Sequence, residues 1–375
     1  MPGPGLQPEV AEAVCGFPRV RVGGERVAVR AGILGTGAYV PEQVLTNFDL
    51  ERRMDTSDEW IRTRTGIRER RIAREDQAAS DLAHPAAEEA LRVAGIGPAD
   101  LDGILVATTT PDHVFPSTAA LLQRKLGAWN AWAFDMSAAC SGFIYGLAVA
   151  ASFVESGRAR HVLVVGAEVL SRITDWEDRT TAVLFGDGAG AAVVGPVAEG
   201  GFLSFVLGAD GGGADLLVLP AGGSRLPASR RTVEERQHFL KMNGREVFKF
   251  AVRIMAEASE EALRRAGLTK DDLDLLVPHQ ANYRIIDAAQ ERFQLPSGKV
   301  VVNLDRYGNM SAASTPVALH EAYRAGRLSP GNVVLLVAFG GGLTWAATVL
   351  RWSVPSPLGT GEFETATLAR GKAEP

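Results

Sequence analysis

The chain has 375 residues, 46% of them hydrophobic and 22% charged, and carries a formal net charge of −5. That length holds two or three average domains or one large two-lobed one, and the composition is that of an ordinary globular protein. The acidic balance gives no reason to expect nucleic-acid binding, and no apolar run reaches the roughly 20 residues that a membrane-spanning helix needs.

Residues 1–30 are rich in Pro and Gly and lack the basic-then-apolar layout of a secretion signal, so they read as a mobile N-terminal extension. The two cysteines, Cys15 in that extension and Cys140 in an apolar segment, make no disulfide framework. This points to a reduced, cytoplasmic protein. Short Val/Leu-rich strands, such as residues 104–107, then alternate with helical segments, such as residues 80–93 and 246–265. The alternation indicates an α/β fold of βαβ units with buried, largely parallel sheets.

An apolar extended run at residues 132–134 leads into Asp135-Met136-Ser137-Ala138-Ala139-Cys140-Ser141-Gly142-Phe143. Ile144, Leu147, Ala148, Val149, Ala151 and Phe153 follow, as in a helix buried on most sides. A thiol at the N-terminus of such a helix meets the positive end of its dipole, which favours thiolate and makes Cys140 a candidate nucleophile. A buried cysteine more often packs as a small hydrophobe, and the local residues are compatible with both.

Phe185-Gly186-Asp187-Gly188-Ala189-Gly190 superficially suggests a phosphate loop, but its spacing is wrong and a strand-like run follows it, so no nucleotide site is expected. Residues 221–237, with Arg225, Arg230, Arg231 and Arg236, read as a long basic surface loop. His279 ends the apolar strand at residues 275–278, and strand C-termini are where α/β folds bind ligands. Asn309 sits in a Gly-Asn loop, the usual place of a turn residue. Gly340-Gly341-Gly342 closes the last apolar strand, either as a tight bend or as bare backbone amides able to approach a ligand. Residues 354–375 form a tail with little apolar content that reads as mobile.

Stretches of the chain echo one another. Residues 94–102 resemble residues 266–274, Met136-Ser-Ala-Ala-Cys140 resembles Met310-Ser-Ala-Ala-Ser314, and residues 161–165 resemble residues 332–336. Matches in one order at nearly one offset imply duplicated halves over 31–200, with the nucleophile, and 201–353, with His279 and Asn309. The match sets Ser314 opposite Cys140, so the architecture does not demand cysteine there.

Taken together, the run from Thr56 through Trp60, Arg64 and Ile67, Ala138-Ala-Cys140, Phe185–Gly190, Pro278-His279-Gln280-Ala-Asn282, Gly308-Asn309 and Phe339–Gly342 resemble β-ketoacyl-acyl-carrier-protein synthase III of the thiolase superfamily. The resemblance spans roughly residues 31–352. It implies a duplicated, five-layered αβαβα thiolase-like fold and a homodimer. It further implies that Cys140 takes an acyl group from acyl-CoA, that the Cys140 and Gly341 N–H groups hold the oxyanion, and that His279 and Asn309 support decarboxylative condensation with malonyl-acyl carrier protein, with no metal or redox cofactor.

By the same resemblance Trp60 and Arg64 sandwich the CoA adenine with Thr56 and Arg172 nearby, and Phe248 and Asn282 line the pantetheine channel. Lys249 and Arg284 face the acidic carrier protein. Phe339 borders the acyl pocket, and Phe115 closes the partner's pocket across the dimer. Ser141 and Leu343 depart from the usual Ala and Phe, which puts the acyl primer in question. The competing reading is a related acyltransferase that moves an acyl group to a hydroxyl or amine without decarboxylation. A non-catalytic partner subunit would be expected to lack the nucleophile.

Overall fold

Strands that are buried on both faces carry the architecture, and their residues divide strictly by period two. In a computed structural model, which describes residues 19–22 and 25–357, nine strands form two sheets. These are β1 (Arg30–Tyr39), β2 (Gly103–Ala107), β3 (Trp132–Met136), β4 (Val162–Glu168), β5 (Gly188–Val197), β6 (Gly201–Ala209), β7 (Leu275–Pro278), β8 (Val333–Gly340) and β9 (Thr344–Arg351). One sheet has the order β1-β5-β4-β2-β3 and the other β6-β9-β8-β7.

Six helices complete the layers: α1 (Ala79–Ala94), α2 (Thr118–Leu126), α3 (Gly142–Glu155), α4 (Gly244–Arg265), α5 (Tyr283–Phe293) and α6 (Ser314–Arg324). Ile104, Val106, Leu163 and Val165 face outward onto α1 and α2 through Leu82, Ala86, Ala90 and Leu122. Their alternates Leu105 and Val164 face inward, where Phe143 and Leu147 of α3 and Leu319 and Tyr323 of α6 meet Val334 and Leu336 of the second sheet. Leu335 and Val337 face the far side, against Ile254 and Ala258 of α4 and Ile285 of α5. The molecule is therefore a five-layered αβαβα stack with α3 and α6 at its centre. Burial on both faces explains why these strands are near-continuous apolar runs.

The expectation of largely parallel sheets needs correction. β2 pairs in parallel with β3 and β4, and β7 with β8, but β5 runs antiparallel to β4 and β1, and β9 antiparallel to β8 and β6. The short link from Gly340 to Thr344 has no room for a crossover helix, so the two strands it joins must be antiparallel.

The halves do repeat, but in a different register from the one the Met-Ser-Ala-Ala echo suggests. A 3-10 turn at Ala139–Ser141 precedes α3, and one at Ser311–Ala313 precedes α6. Each turn opens on a left-handed residue, Ala139 at φ 45° and Ser311 at φ 47°. Cys140 therefore corresponds to Ala312, and Gly142 to Ser314. The sequence echo lies two residues out of step, because small residues fill this whole region in both halves.

Residues 19–22 and 25–28, within the extension, pair as two short antiparallel strands. Cys15 and most of the tail lie outside the described residues. The basic loop is held down: Arg236 forms ion pairs with the buried Asp175 and, at 3.2 Å, with Glu177, and its guanidinium lies over the Phe239 ring. No described helix is long and apolar enough to cross a membrane.

Gly166 of β4 supports the second turn directly. A Cβ there would lie 2.2 Å from the Ala312 carbonyl oxygen. Gly166→Ala is expected to cost about 1–3 kcal/mol by forcing β4 and that turn apart. Gly223→Ala, where a Cβ meets nothing within 4 Å, should stay within about 0.5 kcal/mol of wild type. Urea unfolding of both variants measures the contrast, with an unchanged m value marking a pure stability effect.

Candidate active site

Cys140 lies in the turn between β3 and α3, and only 7% of its surface is exposed. The helix N-terminus was expected to favour thiolate, but burial dominates and pushes the thiol up to about 12, with the Ser311 side chain pulling it down and the Glu168 charge raising it further. Cys140 therefore rests as a neutral thiol. Gly340, at the end of β8, lies directly beneath it, where a Cβ would come within 2.6 Å of the Cys140 nitrogen. The glycine run thus permits the close approach that puts Gly341, half-buried, beside the nucleophile turn.

Ser141 is fully buried, with its hydroxyl 2.7 Å from that of Thr344, which in turn donates to the Ala138 carbonyl at 2.9 Å. It ties the turn to β9 and so does not line a pocket. Leu343 is also buried, in the core on the α4 side.

His279 extends the β7 ladder, its N–H donating to the Val337 carbonyl at 2.7 Å. Its ring meets Phe339 edge-on with centroids 5.5 Å apart. Gln280 braces the strand end by donating to the Pro278 and Val301 carbonyls and accepting from the Asn303 N–H. Both His279 ring nitrogens are buried without a hydrogen-bond partner. Desolvation lowers the imidazole to about 3, so it is neutral at physiological pH.

Asn309 is held by its backbone, which donates to Leu184 and accepts from Gly186. Its Oδ1 accepts the Ser311 N–H at 2.8 Å, which leaves the Nδ2 group as the outward donor. The motif that superficially suggested a phosphate loop is the seat for this segment. A Cβ at Gly186 would strike the Tyr307 carbonyl at 2.3 Å, one at Gly188 the Met310 sulfur at 2.6 Å, and one at Gly190 Pro316 at 2.7 Å. Ser311 thus ties Asn309 to a turn that packs on the Cys140 turn, and Cys140 and His279 approach through the consecutive residues Gly340 and Phe339. Phe339 is buried behind the imidazole.

A second group of expected residues gathers around the helix Asp58–Thr65. Asn282 caps α5 by accepting the Arg284 N–H and donates to the Arg64 carbonyl at 3.1 Å. Arg284 lies over the Phe248 ring at 5.2 Å, and Lys249 pairs with Glu246 at 2.7 Å. Thr56 has a buried hydroxyl without a partner.

The guanidinium over Trp60, at 5.3 Å, belongs to Arg179 rather than Arg64, and Arg179 had not been singled out. Arg172 is turned away onto the Arg74 and Glu75 carbonyls, beside a cleft of about 270 Å³ that Gln43, Arg53 and Trp176 also line. Phe115 is 85% exposed. Glu168 was also missed, although it is the one charge in the apolar run from Val162 to Leu170. Among the described residues no cluster of His, Cys, Asp and Glu could hold a metal ion.

Two family models match the chain: 3-oxoacyl-[acyl-carrier-protein] synthase III over residues 134–211 and its C-terminal counterpart over residues 263–352. A β-ketoacyl-[acyl-carrier-protein] synthase III of Caldanaerobacter subterraneus subsp. tengcongensis is 61% identical over 326 residues, covering 87% of this chain and 98% of the relative. The β-ketoacyl-[acyl-carrier-protein] synthase III structure from Thermus thermophilus aligns with a TM-score of 0.80 and 57% identity, over 86% of this chain and 99% of that one. The priming β-ketosynthase of the R1128 polyketide pathway aligns with a TM-score of 0.81 and 41% identity, over 88% of this chain and all of that one.

The neutral, buried His279 has a consequence for acid stability. Its folded value near 3 lies below the unfolded value near 6.5, so only the unfolded chain gains its proton as the pH falls between the two. Stability should therefore drop by about 1.4 kcal/mol per pH unit below about pH 6.5. His279→Gln should remove this slope and narrow the difference between pH 6.5 and 4.5 by about 2–3 kcal/mol in denaturant unfolding.

Proposed function

The chain belongs to the 3-oxoacyl-[acyl-carrier-protein] synthase III family, and on that premise we propose that it condenses an acyl-CoA primer with malonyl-acyl carrier protein, releasing CO2. It is an enzyme of the acyl-transferring, condensing kind. The observation that supports the residue assignment is the pair of buried, unpartnered His279 nitrogens, on a ring packed edge-on against Phe339, the neighbour of the Gly340 that lies against the Cys140 nitrogen. Polar atoms are rarely left so in a folded interior, and a ligand carbonyl would satisfy them.

In the first half-reaction the Cys140 sulfur attacks the thioester carbonyl, while the Cys140 and Gly341 N–H groups receive the oxyanion. Collapse expels CoA and leaves an acyl-enzyme. In the second, the thioester carbonyl of malonyl-acyl carrier protein accepts hydrogen bonds from His279 and Asn309. Loss of CO2 puts charge on that oxygen as an enolate, and the enolate carbon attacks the Cys140 thioester to give a 3-ketoacyl-carrier protein. A neutral imidazole suits this task, since it donates a hydrogen bond without surrendering a proton to the enolate. The cycle uses no cofactor or metal.

The remaining residues fit the two substrates. The Trp60 ring and Arg179 guanidinium would part to admit the adenine between them, with Thr56 and Arg64 at the rim. Phe248 and Asn282 would border the pantetheine. Arg245, Lys249 and Arg253 on exposed turns of α4, with Arg284 on α5, make a basic face on an acidic protein, which would steer an acidic carrier protein to the entrance. A homodimer would pair through β3, the free edge of the first sheet, where Val114 and Phe115 are 91% and 85% exposed. We place the enzyme in the cytoplasm, where its thiol stays reduced.

Intact-mass measurement after incubation with a panel of acyl-CoAs tests the first half-reaction and identifies the primer. Wild type should gain one acyl mass and Cys140→Ala none. His279→Ala and Asn309→Ala should still be acylated but release CO2 from malonyl-carrier protein about 10²–10³ times more slowly. An acyl mass on Cys140→Ala protein would refute the assignment. Acylated wild type that releases no CO2 would favour transfer without decarboxylation.

A further inference from the structure

Gln280 follows His279 directly and is fully buried. Its Nε2 donates to the Pro278 carbonyl at 2.8 Å and to the Val301 carbonyl at 3.1 Å, and its Oε1 accepts the Asn303 N–H at 2.9 Å. Two carbonyls on one side and an N–H on the other fix which way the amide faces, so a flipped amide would satisfy none of the three. A carboxylate in this place would confront two carbonyls with no donor to offer them.

The side chain stands where a ladder runs out. The segment after α5 lies alongside β7 through one parallel bridge, Leu276 with Val300, and the Val301 N–H donates to the Leu276 carbonyl at 2.9 Å. Beyond that point the Gln280 amide supplies the contacts that backbone groups made before it, to Pro278 on one side and to Val301 and Asn303 on the other. The His279 N–H binds in the opposite direction, to Val337 of β8. The strand end that carries the imidazole is thus gripped from both sides.

The same amide is tied to Asn309. Asn303 opens the turn Leu304–Tyr307, and Gly308 and Asn309 follow. This stretch is clamped throughout. Asn303 Nδ2 donates to Glu321 of α6 at 2.9 Å, Arg306 pairs with that carboxylate at 2.8 Å, and the Tyr307 hydroxyl donates to it at 2.5 Å. The Gly308 N–H then reaches the Leu304 carbonyl at 2.8 Å, and the Asn309 N–H the Leu184 carbonyl at 2.8 Å. In an interior packed at crystal-like density a shift of Asn303 carries along such a stretch, and Gln280 holds Asn303 to the residue beside His279.

We propose that Gln280 is a positioning residue that sets the spacing between the two hydrogen-bond donors of decarboxylation, the His279 ring and the Asn309 amide. The inference rests on the condensing reading above. In that step the C–C electron pair freed by the departing CO2 moves into the enolate, and its charge settles on the thioester oxygen. Both donors must therefore converge on one atom, and a misplacement of about 1 Å costs such a site about 10²-fold. Acylation uses the Cys140 and Gly341 N–H groups, which stand on the nucleophile turn and just past β8. Gln280 accordingly serves one half-reaction and not the other.

The test is Gln280→Met, which keeps the length of the side chain and removes the amide, with the two half-reactions measured apart. Intact mass after acyl-CoA treatment reads acylation, and labelled CO2 from malonyl-acyl carrier protein reads decarboxylation. Acylation should stay within about twofold of wild type, while CO2 release falls about 10–10²-fold in kcat and kcat/KM alike, as for an interaction made in the transition state. Decarboxylation at the wild-type rate overturns the proposal. So does equal slowing of both half-reactions, which a general loosening of the fold would give.

If Gln280→Met does not fold, Glu321→Ala decides, because it frees the same segment at its α6 end. It should show the same split in lesser degree, and unsplit rates overturn the proposal. A wild type that is acylated but releases no CO2 removes the condensing reading instead. A crystal structure of Gln280→Met then decides the spacing: the Asn309 amide displaced from the His279 ring upholds it, and an unmoved amide overturns it.

Discussion

Each of the two 3-10 turns at the centre of the molecule rests on a strand of the opposite half, at a point where no side chain fits. The Cys140 turn sits on Gly340, and the Ser311–Ala313 turn sits on Gly166. This crossed packing sets the distance between the halves, and the site exists only because of it. The β8 end that carries Phe339 and Gly340 touches His279 through one residue and Cys140 through the next. Interiors at crystal-like density transmit even a methyl group's displacement, so these glycines fix the geometry as firmly as the polar residues do. Gly186, Gly188 and Gly190 do the same for the segment carrying Asn309.

Desolvation governs the chemistry of the pocket that results. It holds Cys140 as a thiol and His279 as a neutral imidazole, so two groups often drawn as an ion pair carry no charge at rest. In a site of low polarity every fixed donor acts more strongly on a charge that forms during reaction. On the proposed mechanism, water at this depth would hydrolyse the thioester and weaken the hydrogen bonds that His279 and Asn309 offer the enolate. A neutral, closed resting site favours an enzyme whose charges appear only transiently.

Much of the fold was legible in the sequence, because doubly buried strands must be apolar along their length and their helical partners must be small on the contact face. The repeat and the positions of Cys140, His279 and Asn309 at strand ends and turns follow from that pattern and the motifs, while the five layers came with the family resemblance. What escaped it depends on close approach rather than on hydrophobicity. The antiparallel pairing of β8 and β9 was missed because the short Gly341-Gly342-Leu343 link looks like any loop, and the register of the repeat because Ser and Ala fill both turns equally.

Arg179 was missed because its partner Trp60 lies more than a hundred residues away, and no local pattern signals a guanidinium stacked on a distant ring. Glu168 did leave a trace, a single acid in an apolar strand, but its setting required the three threonines that donate to its carboxyl to be in place around it.

The asymmetry between the halves explains why one pocket serves where duplication could have made two. In equivalent strand registers Gly103 pairs with Val162 and Leu275 with Val334, which sets Glu168 opposite Gly340 and Cys140 opposite Ala312. One turn therefore carries the thiol over a bare glycine, and the other carries no thiol. A carboxylate in place of Gly340 would lie against the Cys140 nitrogen and oppose any oxyanion there. A glycine in place of Glu168 would leave the threonine hydroxyls without an acceptor. The duplicated scaffold supplies two turns of one shape facing each other, and the thiol sits on the one that lies over the bare Gly340.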